Sequence, residues 1–215
     1  MASKIITTPK GFADWVKVFT PDTKYNAEGV YSMKLRIGEA EAEGLCEQLD
    51  ALTDAIYAKS LKDNPKLKTK LTKRTPYEQV LDDDGSETGV IEFTLKTKAV
   101  ITAKDGSTYT NKVAVFDAKA KPITQEFKIG NGSTMKASFE PIPYMMQSTK
   151  EASVSLRLKS VQLIDLVEFG ANNTFEEEEG YTFEAKPEPE KPTEETVEEE
   201  ISSGDFSNEE DDEDF

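Results

Sequence analysis

The sequence predicts an all-β body with one long helix, followed by a disordered acidic tail, and three observations carry that prediction. Apolar residues recur at every second position through most of the first 170 residues. One stretch near residue 50 replaces that alternation with helical spacing. The charge also divides abruptly: residues 171–215 hold 19 acids against two bases, Lys186 and Lys191, whereas residues 1–170 hold 23 acids and 24 bases. The formal net charge of -16 thus belongs to the tail, and the body is nearly neutral. A 170-residue body is long enough to bury roughly 70% of its unfolded surface, whereas the tail is rich in Glu, Asp, Ser and Pro and has too few apolar groups to offset chain entropy. Its "KPEPEKP" segment, Lys186 to Pro192, favours extended polyproline-like backbone and should hold the terminus away from the body.

Along the body, "GVYSMKLRI" sets Tyr31, Met33, Leu35 and Ile37 to one side and Ser32, Lys34 and Arg36 to the other, as in a half-buried strand. A helix follows over about Glu39 to Leu61, where Leu45, Leu49, Leu52 and Ile56 make one apolar stripe that packs on the sheet. "VIEFTLKTKAVI" is a second strand, with Ile91, Phe93, Leu95, Ala99 and Ile101 inward and Glu92, Lys96 and Lys98 outward. Asp105-Gly106 offers a tight turn into a partner strand over roughly Thr108 to Phe116. "ITQEFKI", the turn signal "GNGS" and "TMKASFEPI" predict another hairpin, leaving Tyr144 in a proline-flanked loop. In "ASVSLRLKSVQLIDLVEF", Val154, Leu156 and Leu158 hold one parity and Val161 and Leu163 the other, so a bulge or a sharp bend is expected near Lys159 and Ser160. Strands, one long helix and further strands with hairpins and a bend point to a small Greek-key barrel such as an oligonucleotide-binding (OB) fold, with a sandwich as the competing architecture.

Composition narrows the chemistry. There is no histidine, which removes the commonest general base and metal ligand. Cys46 is the single cysteine, so neither an intramolecular disulfide nor a CxxC pair can form, in keeping with a reducing cytosol. "MASKIITTPKG" lacks the apolar core of a signal peptide, and a cytoplasmic protein is expected. "LDDDGSETG" begins like a calcium loop, but Glu87 and Thr88 spoil the ligand spacing and no Glu closes it; an exposed turn fits better. "GNGSTMK" lacks the Gly-Lys-Ser/Thr ending of a phosphate-cradling loop and reads as a turn. No nucleophile motif is present, and neither catalysis nor a cofactor or metal is expected.

Aromatic and cationic residues on strand faces carry the functional signal. "ADWVKVF" places Val16 and Val18 toward a core and Trp15, Lys17 and Phe19 opposite, which is either a stacking platform with a phosphate-binding cation or an ordinary packed face. Lys34, Arg36, Lys96, Lys98, Tyr109 and Lys112 lie on outward strand positions, and Tyr144 sits where a ring is free to stack on a base. "KSLKDNPKLKTKLTKR", Lys59 to Arg74, holds seven bases and one acid, and reads either as a solvated surface or as a cation patch that tracks a nucleic-acid backbone.

Four features in their order, "GVYSMKLRI" before a long helix and basic connection, "PYEQ" before a central hairpin, "IPY", and "ASVSLRLKSVQLIDLVEFG" with a tail ending "DEDF", resemble the replicative single-stranded DNA-binding proteins of T-seven-like bacteriophages. The resemblance runs along nearly the whole chain and implies an OB barrel over 1–170, a homodimer and no catalysis. It implies single-stranded DNA contacts at Trp15 and Tyr144 and at Lys34, Arg36 and Lys112; the strand pattern, apart from the resemblance, adds Lys17, Phe19, Lys98 and Tyr109. It further implies that Asp211, Asp212, Glu213, Asp214 and Phe215 contact the phage polymerase and helicase-primase in the cytoplasm of an infected bacterium. The segment Met145 to Lys150 lacks the family's tryptophan, and the spacer from Asn172 to Asp205 differs in detail. A tethered polyanion also competes with DNA for a phosphate-binding groove, while Phe215, and secondarily Phe206, supplies an apolar anchor. Two rival classes predict different behaviour: a DNA-mimicking interaction protein has no DNA affinity in its body, and a metal nuclease using Asp82, Asp83 and Asp84 cuts DNA with magnesium.

Overall fold

The computed structural model describes residues 4–103 and 105–168; the expectations for the tail, including Phe206 and Asp211 to Phe215, lie outside them. Eleven strands are formed among the described residues: β1 (Ile6–Thr7), β2 (Gly11–Asp22), β3 (Val30–Gly38), β4 (Thr72–Lys73), β5 (Tyr77–Leu81), β6 (Glu87–Lys98), β7 (Val100–Thr102), β8 (Thr108–Thr110), β9 (Ala114–Phe116), β10 (Ser133–Met146) and β11 (Glu151–Asp165). One helix, α1 (Glu39–Asp63), and a short 3-10 turn, Pro65–Leu67, interrupt them.

Five strands close a ring. β10 pairs β2, β2 pairs β3 and β3 pairs β6, all antiparallel; β6 meets β11 in parallel at Lys96 and Arg157; β11 returns to β10 along a long antiparallel ladder. That is the partly open closure of an oligonucleotide-binding barrel, and the β6–β11 contact is its loosest seam. The alternation read from the sequence produces the interior: Tyr31, Met33, Leu35, Ile37, Ile91, Phe93, Leu95, Phe139, Val154, Leu156 and Leu158 are buried together. Leu45 and Leu49 of α1 join them, and the helix packs on β10 and β11. Phe93 and Phe139 are fully buried, so truncating either to Ala is expected to cost about 3–5 kcal/mol.

The expected bulge is where the parity placed it. Ser138 pairs Ser160 and Phe139 pairs Leu158, leaving Lys159 as the extra residue. A second bulge was not expected. The β2–β3 register jumps between Asp14 and Lys17, and Trp15 carries φ +53°. Gly11 and Ala13 point inward before the jump and Val18 after it, so the inward parity changes across Trp15.

Other expectations need correction. The strand foreseen over Thr108 to Phe116 breaks in two, because Asn111 turns away: β8 pairs β7, while β9 leaves to pair β11. The Asn111 side chain donates to Thr97 Oγ1 at 3.1 Å and to the Lys98 carbonyl at 2.9 Å, which pins the base of the β7–β8 hairpin to β6. "ITQEFKI" forms no strand; it crosses as an irregular segment whose Ile123, Phe127 and Ile129 pack on the core. "GNGS" is a turn, with Gly132 at φ +86°, but it leads from that segment into β10 rather than closing a hairpin. Tyr144 is not in a loop. It lies in β10 opposite Ser153, because the β10 ladder runs on through both prolines to Met146. "LDDDGSETG" is the exposed turn foreseen, with Asp82 Oδ1 accepting the Asp84 and Ser86 N–H groups.

Candidate nucleic-acid interface

The outer face of the barrel holds its side chains in cross-strand rows, because directly paired residues point the same way. Lys17 pairs Ser32, Ser32 pairs Lys96 and Lys96 pairs Arg157, so one row across four strands presents three cations and one small hydroxyl. Neither Lys17 nor Lys96 has an ion-pair partner among the described residues, and Arg157 meets Glu140 only at 3.5 Å. Lys98, two residues beyond Lys96 on the same face, faces Glu28 at 3.6 Å.

The neighbouring rows behave oppositely. Arg36 lies between Asp14 and Glu92, 3.1 Å from each, and Lys34 Nζ is 2.5 Å from the other Glu92 oxygen. Glu92, expected to point to solvent, is buried by these contacts. Burial alone would raise its carboxyl pKa, but the hydrogen bonds and charges of Lys34 and Arg36 outweigh that and hold it below the ordinary glutamate range. Two of the predicted cations are thereby matched by two carboxylates.

Along the β6–β11 seam the outer face sinks into two adjoining recesses of about 440 and 580 Å³ that share Lys96 and Ser155. Lys98, Tyr109 and Arg157 line the first. Arg74, Tyr77, Tyr144 and Ser153 line the second. Tyr109, opposite Ile101 in the β7–β8 hairpin, is 55% exposed and lines the first recess with no ring or hydrogen-bond partner for its side chain among the described residues. Tyr77 differs: its hydroxyl donates to Asp50 Oδ2 at 2.8 Å and its ring packs 5.8 Å from Phe93. Burial, and then that hydrogen bond, push its phenol far above the ordinary range, so Tyr77 is a fixed wall.

The N-terminal aromatic cluster is a separate surface around recesses of about 430 and 450 Å³. Trp15 is 67% exposed, and its backbone N–H donates to Asn131 Oδ1 at 3.0 Å, which offsets part of the roughly 1 kcal/mol cost of a left-handed non-glycine residue. Phe19 lines one recess with Trp15 and Lys17 but is half-buried there. Its ring packs against the core, 5.1 Å from Phe127 of the irregular segment that crosses over it. Lys112 lines the recess on the other side of Phe19 and lies between strands, not on one.

The structure therefore gathers Lys98, Tyr109 and Tyr144 into one groove, puts Lys17 at the end of the row that leads into it, groups Trp15, Phe19 and Lys112 elsewhere, and neutralises Lys34 and Arg36. Two further groove cations stand outside the individually predicted contacts, Arg157 and Arg74, the latter named only as the end of the basic run. Arg157 was within reach, since it sits outward between Leu156 and Leu158; Arg74 carried no signal beyond its place at the end of a basic run. Among the described residues no cluster of acidic or thiol groups fits a metal ion, and no helix is long and apolar enough to cross a membrane.

Residues 11–166 match the family described as single-stranded DNA-binding protein, bacteriophage T7. The chain is 29% identical to the single-stranded DNA-binding protein of Escherichia phage T7 over 217 aligned positions, covering 91% of this chain and 92% of that one. It is 28% identical to the protein of the same name from Enterobacteria phage T3, covering 73% of each. The crystal structure of the phage T7 single-stranded DNA-binding protein superposes with a TM-score of 0.68 at 26% identity, covering 85% of this chain and all of the other. A single-stranded DNA-binding protein from bacteriophage Enc34, solved in complex with single-stranded DNA, shares the fold at a TM-score of 0.50 and 10% identity, over 77% of this chain and 89% of that one.

Proposed function

The chain belongs to the bacteriophage T7 family of single-stranded DNA-binding proteins, and from that premise we propose that it binds and protects single-stranded DNA during phage DNA replication, recombination and repair, without catalysis. The observation that carries this reading is the open groove at the β6–β11 seam, where unpaired Lys96 lies beside Arg157 and Lys98 and is flanked by the Tyr109 and Tyr144 rings. Cations spaced along a recess neutralise successive phosphates, and rings beside them stack on bases regardless of sequence. Trp15 and Lys17 extend the contact from the N-terminal side, with Lys112 and Phe19 bordering it.

In the same proposal the acidic tail competes for this groove and DNA displaces it. Once displaced, Asp211 to Asp214 steer the terminus to basic surfaces on the phage polymerase and helicase-primase, and Phe215 anchors it there. The protein acts as a homodimer in the cytoplasm of the infected bacterium. Titration of oligo-dT with full-length protein and with a variant lacking 196–215, side by side over a salt series, tests both parts. Affinity falling steeply with salt and tightening on truncation is the expected result; a body that binds no single strand overturns the function, and truncation without effect overturns the competition.

A further inference from the structure

The groove does not end at Tyr144. Its far wall is Arg74, and from Arg74 the chain runs back through β4 to a lobe made of the 3-10 turn and the last turns of α1. Exposed Lys59, Lys62, Lys66, Lys68 and Lys70 stud that lobe, and none of their ammonium groups has an ion-pair or hydrogen-bond partner among the described residues. Five exposed cations over residues 59–70, with Asp63 the one acid among them, make a locally positive surface that attracts a polyanion.

The lobe is held in place firmly. Leu67 and Leu71 are buried with Ala152 in a small second core, supported by Ile56, Tyr57, Leu61 and Met145. β4 pairs in parallel with the start of β11, and the Arg74 N–H donates to the Ala152 carbonyl at 2.9 Å. Those anchors belong to the same β10–β11 hairpin that carries Tyr144, so the basic lobe and the groove share one support. Among the described residues only Lys73 of the run has a carboxylate partner: it meets Asp54 of α1 at 2.6 Å and lies over the Tyr57 ring.

We propose that this basic lobe is a second segment of the DNA path: single-stranded DNA leaving the groove past Arg74 continues over Lys66, Lys68 and Lys70, which contact its phosphates without reading bases. This rests on the single-stranded DNA reading above and adds that the site is longer than the groove. No aromatic ring lines the lobe's outer surface except Tyr57 under Lys73, so the lobe supplies charge only and its contribution is sequence-independent.

The test compares full-length wild type with the triple variant K66Q/K68Q/K70Q, and with K10Q/K119Q/K121Q, which changes the net charge equally at exposed lysines lining none of the recesses. Each is titrated over a salt series with oligo-dT of about 6 nucleotides and of more than about 16, the range of site sizes for such barrels. The expected result is that the lobe variant binds the short strand as wild type does, binds the long strand roughly tenfold more weakly at low salt, and shows a salt slope shallower by about 2 on the long strand. The control variant should match wild type on both. Equal weakening by both variants, or equal weakening on both lengths, overturns the proposal, since either is a net-charge effect. Tighter binding of the lobe variant at all lengths also overturns it and assigns the lobe to the acidic tail. Wild type that binds neither length overturns the single-stranded DNA reading itself.

Discussion

Lys34 and Arg36 on β3, and Lys96 and Arg157 on β6 and β11, stand on the same outer face of one sheet in adjoining rows, yet the first pair is matched by two carboxylates, whereas among the described residues Lys96 has none and Arg157 shares Glu140 with Lys159. The difference lies in what stands across the strand. Arg36 opposes Glu92 and has Asp14 alongside, whereas Lys96 opposes Ser32 and Arg157. A phosphate arriving at Arg36 must compete with a buried carboxylate that would be left uncompensated, and that desolvation cost protects the ion cluster. A phosphate arriving at Lys96 displaces only water. Outward parity places a cation on a surface, and its cross-strand neighbour decides whether the cation is available.

The largest expected effect that sharpens this contrast is at the groove ring. Tyr144→Ala should lose about 1–3 kcal/mol of oligo-dT affinity, with Tyr144→Phe near wild type, read by fluorescence anisotropy. An unchanged affinity would remove the ring from the path. Next, replacing both Lys96 and Arg157 by Gln should make the salt slope shallower by about 1.4, whereas Lys34→Gln should move it by less than half as much. Equal slopes would break the comparison.

Glu92→Gln should act in the opposite sense on the two properties. It releases Lys34 and Arg36, so affinity at low salt should rise, while the fold should lose about 1–3 kcal/mol of stability at neutral pH. The pH dependence has a definite sign. Because the folded carboxyl pKa of Glu92 is depressed, its contribution is present above the ordinary glutamate value of about 4.3 and fades as pH falls through the lower folded value. The urea midpoint of wild type should therefore drop on acidification below that range more than that of E92Q; parallel curves would count against the ion cluster. The smallest effect is at the N-terminal surface. Asn131→Ala removes the hydrogen bond that holds Trp15 in its left-handed conformation and should cost about 1 kcal/mol, with a shift in the emission of this single tryptophan.

Much of the barrel was legible in the chain. The inward residues of β3, β6 and β11, the helix and the Lys159 bulge all follow from alternation and its one parity change, because a buried face punishes any other register. The bulge at Trp15 had a fainter trace: Ala13 shares a parity with Trp15, and Val16 and Val18 hold the other, but a small alanine does not declare which face it prefers. "ITQEFKI" misled for a related reason, since Ile123, Phe127 and Ile129 are apolar enough for a strand yet bury themselves from an irregular segment.

By itself the chain determined which residues must leave water and where the polyanion begins, because both depend on local composition and period-two spacing. Tertiary structure alone decided which cations are free. Ion pairing at Lys34 and Arg36, the meeting of Lys96 with Arg157, and the approach of Arg74 to Tyr144 join residues far apart in sequence, and their energies depend on distance and burial that no local pattern encodes.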